Sequence, residues 1–184
     1  AMVAAGDADG NGRPMTTDTP VYLASVTKTY ASVVALRLQE RGVLGLDEPI
    51  TTYLPAELTT GIHRRNGVDF SGRITVRHLL ANTSGLANYF EDRPPRGRSL
   101  AGRLFTDGDV AWTAGDVARQ LREELRPHFA PGTRVRYSDT NFQLLEAIIE
   151  ADTGRSFHEV LDAEVLRPLD LRATWLADRR PDVR

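Results

Sequence analysis

The 184-residue sequence contains no cysteine, which excludes disulfides and thiolate metal ligands. It contains a single lysine, Lys28; the other 22 of its 23 Lys and Arg residues are arginine. No apolar stretch approaches the ~20 residues that a membrane-spanning helix needs. The opening residues lack the basic-then-apolar pattern of a leader. The formal net charge is only -2, so there is no basic excess of the kind that binds nucleic acid or an anionic membrane surface. There is no internal repeat and no low-complexity tract. His63, His78, His128 and His158 are scattered without ligand spacing, and no glycine loop is built to cradle a cofactor phosphate. Neither a metal nor a cofactor is therefore expected.

What is present is ordinary globular composition, 41% hydrophobic and 26% charged, enough for one domain, or one and a piece. The apolar spacing predicts helices over 26–41, 114–125, 140–151 and 157–165, with only short strands. A shorter helix follows Thr75 and is expected to stop at Gly85. Ser156 and Glu159 read as a capping box for the last helix. Residues 91–108, rich in Pro, Gly and Arg, read as a surface loop. "DADGNGRP" reads as a turn between two extended pieces.

The lone lysine stands in "YLASVTKTY", three residues after Ser25 at an expected helix start. A cation in the first helical turn opposes the helix dipole by roughly 0.3–1 kcal/mol. In an apolar helix, burial adds to that effect. Both push a lysine toward its neutral form, and a neutral amine is a base. Arginine cannot play that part because its guanidinium stays protonated. Residues three apart share a helix face, so the Lys28 amine reaches the Ser25 hydroxyl and activates it for acyl transfer. The Ser25 N–H, at the helix start, is placed for a developing oxyanion. A serine acting only as a helix cap is the alternative. Tyr137, ending "RVRY" just before a helix, can act as a proton shuttle or hydrogen-bond donor, or it is an ordinary half-buried tyrosine.

Five stretches in this order, "PMTTDTPVYLASVTKTY", "ERGVLGLDEPITTYLP", "ITVRHLLANTSGL", "YSDTNFQLLEAIIEADTGRSF" and "LRPLDLRATW", resemble the serine β-lactamase and D-alanyl-D-alanine carboxypeptidase (penicillin-binding protein-like) superfamily in its class C branch, which includes esterases and D-amino-acid peptidases. The resemblance spans nearly the whole chain. It implies that Ser25 is the acylated nucleophile, Lys28 its hydrogen-bonded partner, and Tyr137 the tyrosine of a Tyr-x-Asn element. The third residue of that element, which binds the substrate amide, is Asp139 here. An acid at that place favours the charged form of Lys28 and opposes the depression argued above.

The resemblance also implies a Lys-Thr-Gly-type strand downstream, and no Lys, Arg or His followed by Ser or Thr and Gly occurs in the sequence. The expectation is therefore a partial domain over 1–184. It is mainly α, the helical lobe of a β-lactamase/transpeptidase-like α+β fold with most of the antiparallel sheet missing. Apolar surface left uncovered in this way invites self-association. The implied function is a serine hydrolase or acyltransferase acting through an acyl-enzyme. Its substrate would be a β-lactam, a D-Ala-D-Ala-like peptide or an ester, and relatives of this kind are usually exported. The alternative is a non-catalytic relative that binds peptide or peptidoglycan-like ligands.

Overall fold

The computed structural model of the chain describes residues 1–108 and 112–176. Its helices are α1 (Thr27–Glu40), preceded by a 3-10 turn at Ala24–Val26, α2 (Ala56–Thr59), α3 (Val76–Leu80), α4 (Leu100–Asp107), α5 (Ala114–Glu123), α6 (Asp139–Thr153) and α7 (Phe157–Leu161). The chain after α7 continues in a wider π turn, Asp162–Leu166. Among the described residues the only sheet is a hairpin of β1 (Arg64–Arg65) and β2 (Val68–Asp69). The fold is thus the helical lobe predicted, and no helix among the described residues is long and apolar enough to cross a membrane.

The core is organised around α6. Leu144, Leu145, Ile148 and Ile149 are fully buried, because the 144/145/148/149 spacing keeps them on one face of a 3.6-residue helix. That helix packs against α1, α3, α5 and α7. Helix α1 buries Ala31, Val34, Ala35 and Leu38. Its exposed side is mixed: Val33 and Leu36 stand beside Thr29, Arg37, Gln39 and Glu40. The stretch before it leaves Val21, Tyr22, Leu23 and Val26 exposed.

Several caps match their sequence signals. Ser156 Oγ accepts from the Glu159 N–H, and the Glu159 carboxylate accepts from the Ser156 N–H. Thr75 and Thr113 begin α3 and α5 in the same way. Three expectations need correction, and one hairpin was not foreseen. The segment 91–108 is not all loop, since Ser99 caps an amphipathic α4. Helix α3 ends at Leu80, with Ala81 as its C-cap and Asn82 at a left-handed φ of 55°, well before Gly85. The opening residues make one isolated bridge, Asp7 with Pro14, in place of two extended pieces. The 64–69 hairpin turns on Asn66 and Gly67, both at positive φ, a turn signal that the sequence did contain.

Candidate active site

Ser25 lies in the 3-10 turn that leads into α1, directly after Ala24, which adopts φ 46°. A left-handed alanine costs of order 1–2 kcal/mol, and such strain concentrates at functional positions. Ser25 makes no side-chain cap for α1, so the capping alternative fails. Lys28 sits one turn on, in the first turn of α1. Its ammonium lies 3.3 Å from Ser25 Oγ and is packed 5.3 Å from the Tyr137 ring and 5.7 Å from the Phe142 ring.

Tyr137 comes from the far end of the chain. Its hydroxyl lies 2.9 Å from Ser25 Oγ, across 112 residues of sequence. What brings it there is a set of polar stitches at the head of α6. Asn82 accepts from the Arg136 N–H on its carbonyl, and from the Ser138 N–H and the Asn141 amide on its side chain. Ser84 Oγ donates to Asn141 Oδ1. The Ser138 and Thr140 hydroxyls both donate to the Ala87 carbonyl. Ser138, Thr140 and Asn141 are buried, and groups so buried need partners. Tyr137 lies in this anchored segment, which carries its hydroxyl to Ser25.

The predicted quartet of Ser25, Lys28, Tyr137 and Asp139 is therefore brought together. Asp139 Oδ1 receives the Lys28 ammonium at 2.6 Å and the Tyr137 hydroxyl at 3.2 Å. Its Oδ2 accepts from Asn88 Nδ2 at 3.0 Å. With both oxygens engaged, and with no hydrogen to donate as a carboxylate, Asp139 cannot give a substrate carbonyl the N–H that an asparagine would give. Lys28 is not pushed toward its neutral form. Burial is the largest single influence on Lys28 and does lower its pKa, but the hydrogen bonds to Asp139 and Tyr137, with their charge attraction, outweigh it. The result is a pKa above the ordinary lysine value.

Two supporting residues escaped the sequence reading. Asn88 is 1% exposed; nothing in "SGLANYF" marks it. Asp92 anchors the same loop, accepting from the Asn88 N–H, His128 Nε2 and Arg136 Nη2. Burial raises the Asp92 pKa most strongly as a single effect, yet those hydrogen bonds together hold it below the usual carboxylate range. A carboxyl depressed in the folded state contributes stability that is present above its unfolded pKa and is lost as pH falls through its folded pKa. Asp92→Asn is expected to flatten the fall in melting temperature between about pH 5 and pH 2. Parallel curves for the two proteins would show that this cluster carries no such linkage.

The sequence model of the family described as Beta-lactamase matches residues 3–184. The chain is 34% identical over 173 residues to esterase EstB of Burkholderia gladioli, covering 93% of this chain and 42% of that protein. It is 29% identical to penicillin-binding protein 4* of Bacillus subtilis (strain 168), covering 91% and 33%. Among solved structures it resembles EstCE1, a hydrolase with promiscuous acyltransferase activity, at TM-score 0.73 and 31% identity over 91% of this chain and 42% of that one. It also resembles a D-stereospecific amidohydrolase from a Streptomyces species, at TM-score 0.63 and 36% identity over 80% and 42%. The chain thus spans under half the length of these relatives.

Proposed function

The chain belongs to the β-lactamase family, and from that premise we propose that the whole protein is a serine hydrolase or acyltransferase that works through an acyl-enzyme on Ser25. The observation that carries this reading is the 2.9 Å contact between Ser25 Oγ and Tyr137 OH, with Lys28 Nζ 3.3 Å from the same oxygen. A nucleophile with a proton-accepting oxygen on one side and a cation on the other is arranged for acyl transfer. The Ser25 N–H, beside the start of α1, is the proposed donor to the oxyanion.

The substrate is proposed to be a small ester, with β-lactams and D-Ala-D-Ala-like peptides as weaker alternatives. Those two classes present an amide to the third position of the Tyr-x-Asn element, and Asp139 has no N–H to offer it. EstB and EstCE1, the one named an esterase and the other a hydrolase, support that order. The whole protein, its Ser25→Ala variant and its Tyr137→Phe variant would be incubated with an activated ester and with a fluorescent penicillin. Mass spectrometry of the Ser25 peptide reads the result. An ester adduct on wild type, none on Ser25→Ala, and acylation at least ~10²-fold slower in Tyr137→Phe are expected. An adduct on Ser25→Ala refutes the assignment of the nucleophile.

A second reading, a relative that binds such ligands without turning them over, is favoured by one observation, the ion pair that keeps Lys28 charged. It predicts binding of the ester's acyl portion with no adduct on any variant.

A further inference from the structure

Asp139 is where this chain departs from Tyr-x-Asn, and its surroundings suit a carboxylate. One oxygen faces Lys28 and Tyr137, and the other faces Asn88. The Asn88 amide is turned by its own loop. Its Oδ1 accepts from the Phe90 N–H at 3.1 Å, so its Nδ2 points at carboxylates, Asp139 at 3.0 Å and Glu91 at 3.2 Å. The loop cannot drift, because Thr140 Oγ1 accepts from the Tyr89 N–H while donating to the Ala87 carbonyl. The carboxylate plane is thereby held with Oδ1 on Tyr137.

The donors then order themselves. An ionised carboxylate only accepts, so the 3.2 Å bond is a donation from Tyr137 to Asp139. The tyrosine has one proton and has used it. The 2.9 Å bond is therefore a donation from Ser25 to Tyr137. Lys28, with three protons, donates to both Ser25 Oγ and Asp139 Oδ1.

We propose that Asp139 is the terminal proton acceptor for Ser25, reached through Tyr137, while Lys28 stays protonated as a fixed cation. This rests on the acyl-enzyme reading above. As Ser25 Oγ forms its bond to the substrate carbonyl carbon, the Ser25 O–H bond breaks and its proton passes to the Tyr137 oxygen. The Tyr137 O–H bond breaks in the same step, and that proton passes to Asp139 Oδ1. The carbonyl electron pair moves onto the carbonyl oxygen. When the tetrahedral species collapses, the leaving oxygen takes a proton from Tyr137, and Tyr137 recovers one from Asp139. Tyr137 and Asp139 return to their starting states, the proton lost by Ser25 leaves on the alcohol, and no external acid or base is consumed. An asparagine at 139 cannot complete the first half, because an amide oxygen is too weak a base.

The raised pKa of Lys28 agrees with a lysine that keeps its proton. The other titratable groups near the carboxylate are Glu91, beside Asn88, and the Tyr89 phenol. Burial and then the charge of Asp139 raise the Tyr89 pKa, Lys28 lowers it and Glu146 raises it further. Neither Glu91 nor Tyr89 lies between Ser25 and Asp139 in the chain of hydrogen bonds.

The test uses the whole protein and an activated ester. Asp139→Asn restores the residue usual in the family, so folding is expected to survive, with melting temperature as the check. The acylation rate at neutral pH is expected to fall ~10²-fold or more, and the rise of that rate on the acid side of the wild-type pH profile is expected to vanish. In wild type, the rate across mixtures of H2O and D2O is expected to bow, as two moving protons require. Asp139→Asn acylated as fast as wild type, or faster, overturns the relay and leaves the acyl-enzyme reading standing. A straight-line dependence on deuterium content does the same without any variant. No Ser25 adduct on wild type removes both.

Discussion

Gly85→Ala is expected to destabilise the chain by more than ~3 kcal/mol, a large share of the ~5–15 kcal/mol that holds a typical domain. An added Cβ at Gly85 would lie 2.1 Å from the Phe129 carbonyl oxygen and 3.1 Å from His63 Nε2. The backbone there has φ 74°, which an alanine adopts only with strain. The neighbours have nowhere to go. The Phe129 carbonyl is held by the buried His63 ring at 2.9 Å, and the His128 N–H donates to the Gly85 carbonyl at 2.8 Å. Separating these segments would loosen the Ser84 and Ala87 stitches that aim Tyr137, so acylation should fall with stability. Gly72→Ala is the control. Nothing lies within 4 Å of its added Cβ and its φ is not positive, so a change within ~0.5 kcal/mol is expected. Denaturant titration of both variants reads the difference. A Gly85→Ala protein as stable as Gly72→Ala would mean that the close approach of the two segments is absent.

The residues explain which parts of this arrangement were legible. Helix α6 declared itself through the apolar face of Leu144, Leu145, Ile148 and Ile149, and α7 through the Ser156–Glu159 box. Ser25 and Lys28 were legible because three residues on one helix fix a distance. Tyr137 was a candidate from its place before a helix, but its pairing with Ser25 was legible only through the ordered blocks of the family pattern, since spacing says nothing across 112 residues. Asn88 and Asp92 were not legible at all. They act from a loop whose shape depends on distant hydroxyls, those of Ser138 and Thr140, and no local periodicity encodes such contacts. The charge state of Lys28 went wrong for a related reason. Dipole and burial are local and were visible in the sequence. The 2.6 Å partner on another helix was only a suspicion raised by Asp139, and a contact that short outweighs both.

That correction changes what is expected of the lone lysine. Lys28→Met removes the cation from a pair in which both side chains are largely buried, at 20% and 16% exposed. The Asp139 charge is then left without its partner, a costly state, and no cation remains beside the developing charge on Ser25. Acylation is expected to fall by ~10²–10³-fold, the scale of a lost electrostatic stabiliser. Lys28→Arg keeps the charge but exchanges a compact ammonium for a planar fork that fits a single oxygen less well. It is expected to retain ~1–10% of the wild-type rate, on the scale of a misplaced but still present stabilising group. The ratio of the two variants decides the role of the residue. If Lys28 is a fixed cation, arginine outperforms methionine by ~10-fold or more. If Lys28 is the base that accepts the Ser25 proton, arginine and methionine fail together, since neither can accept it. Rates of ester acylation across pH, measured on the whole protein with melting temperatures alongside, separate the two.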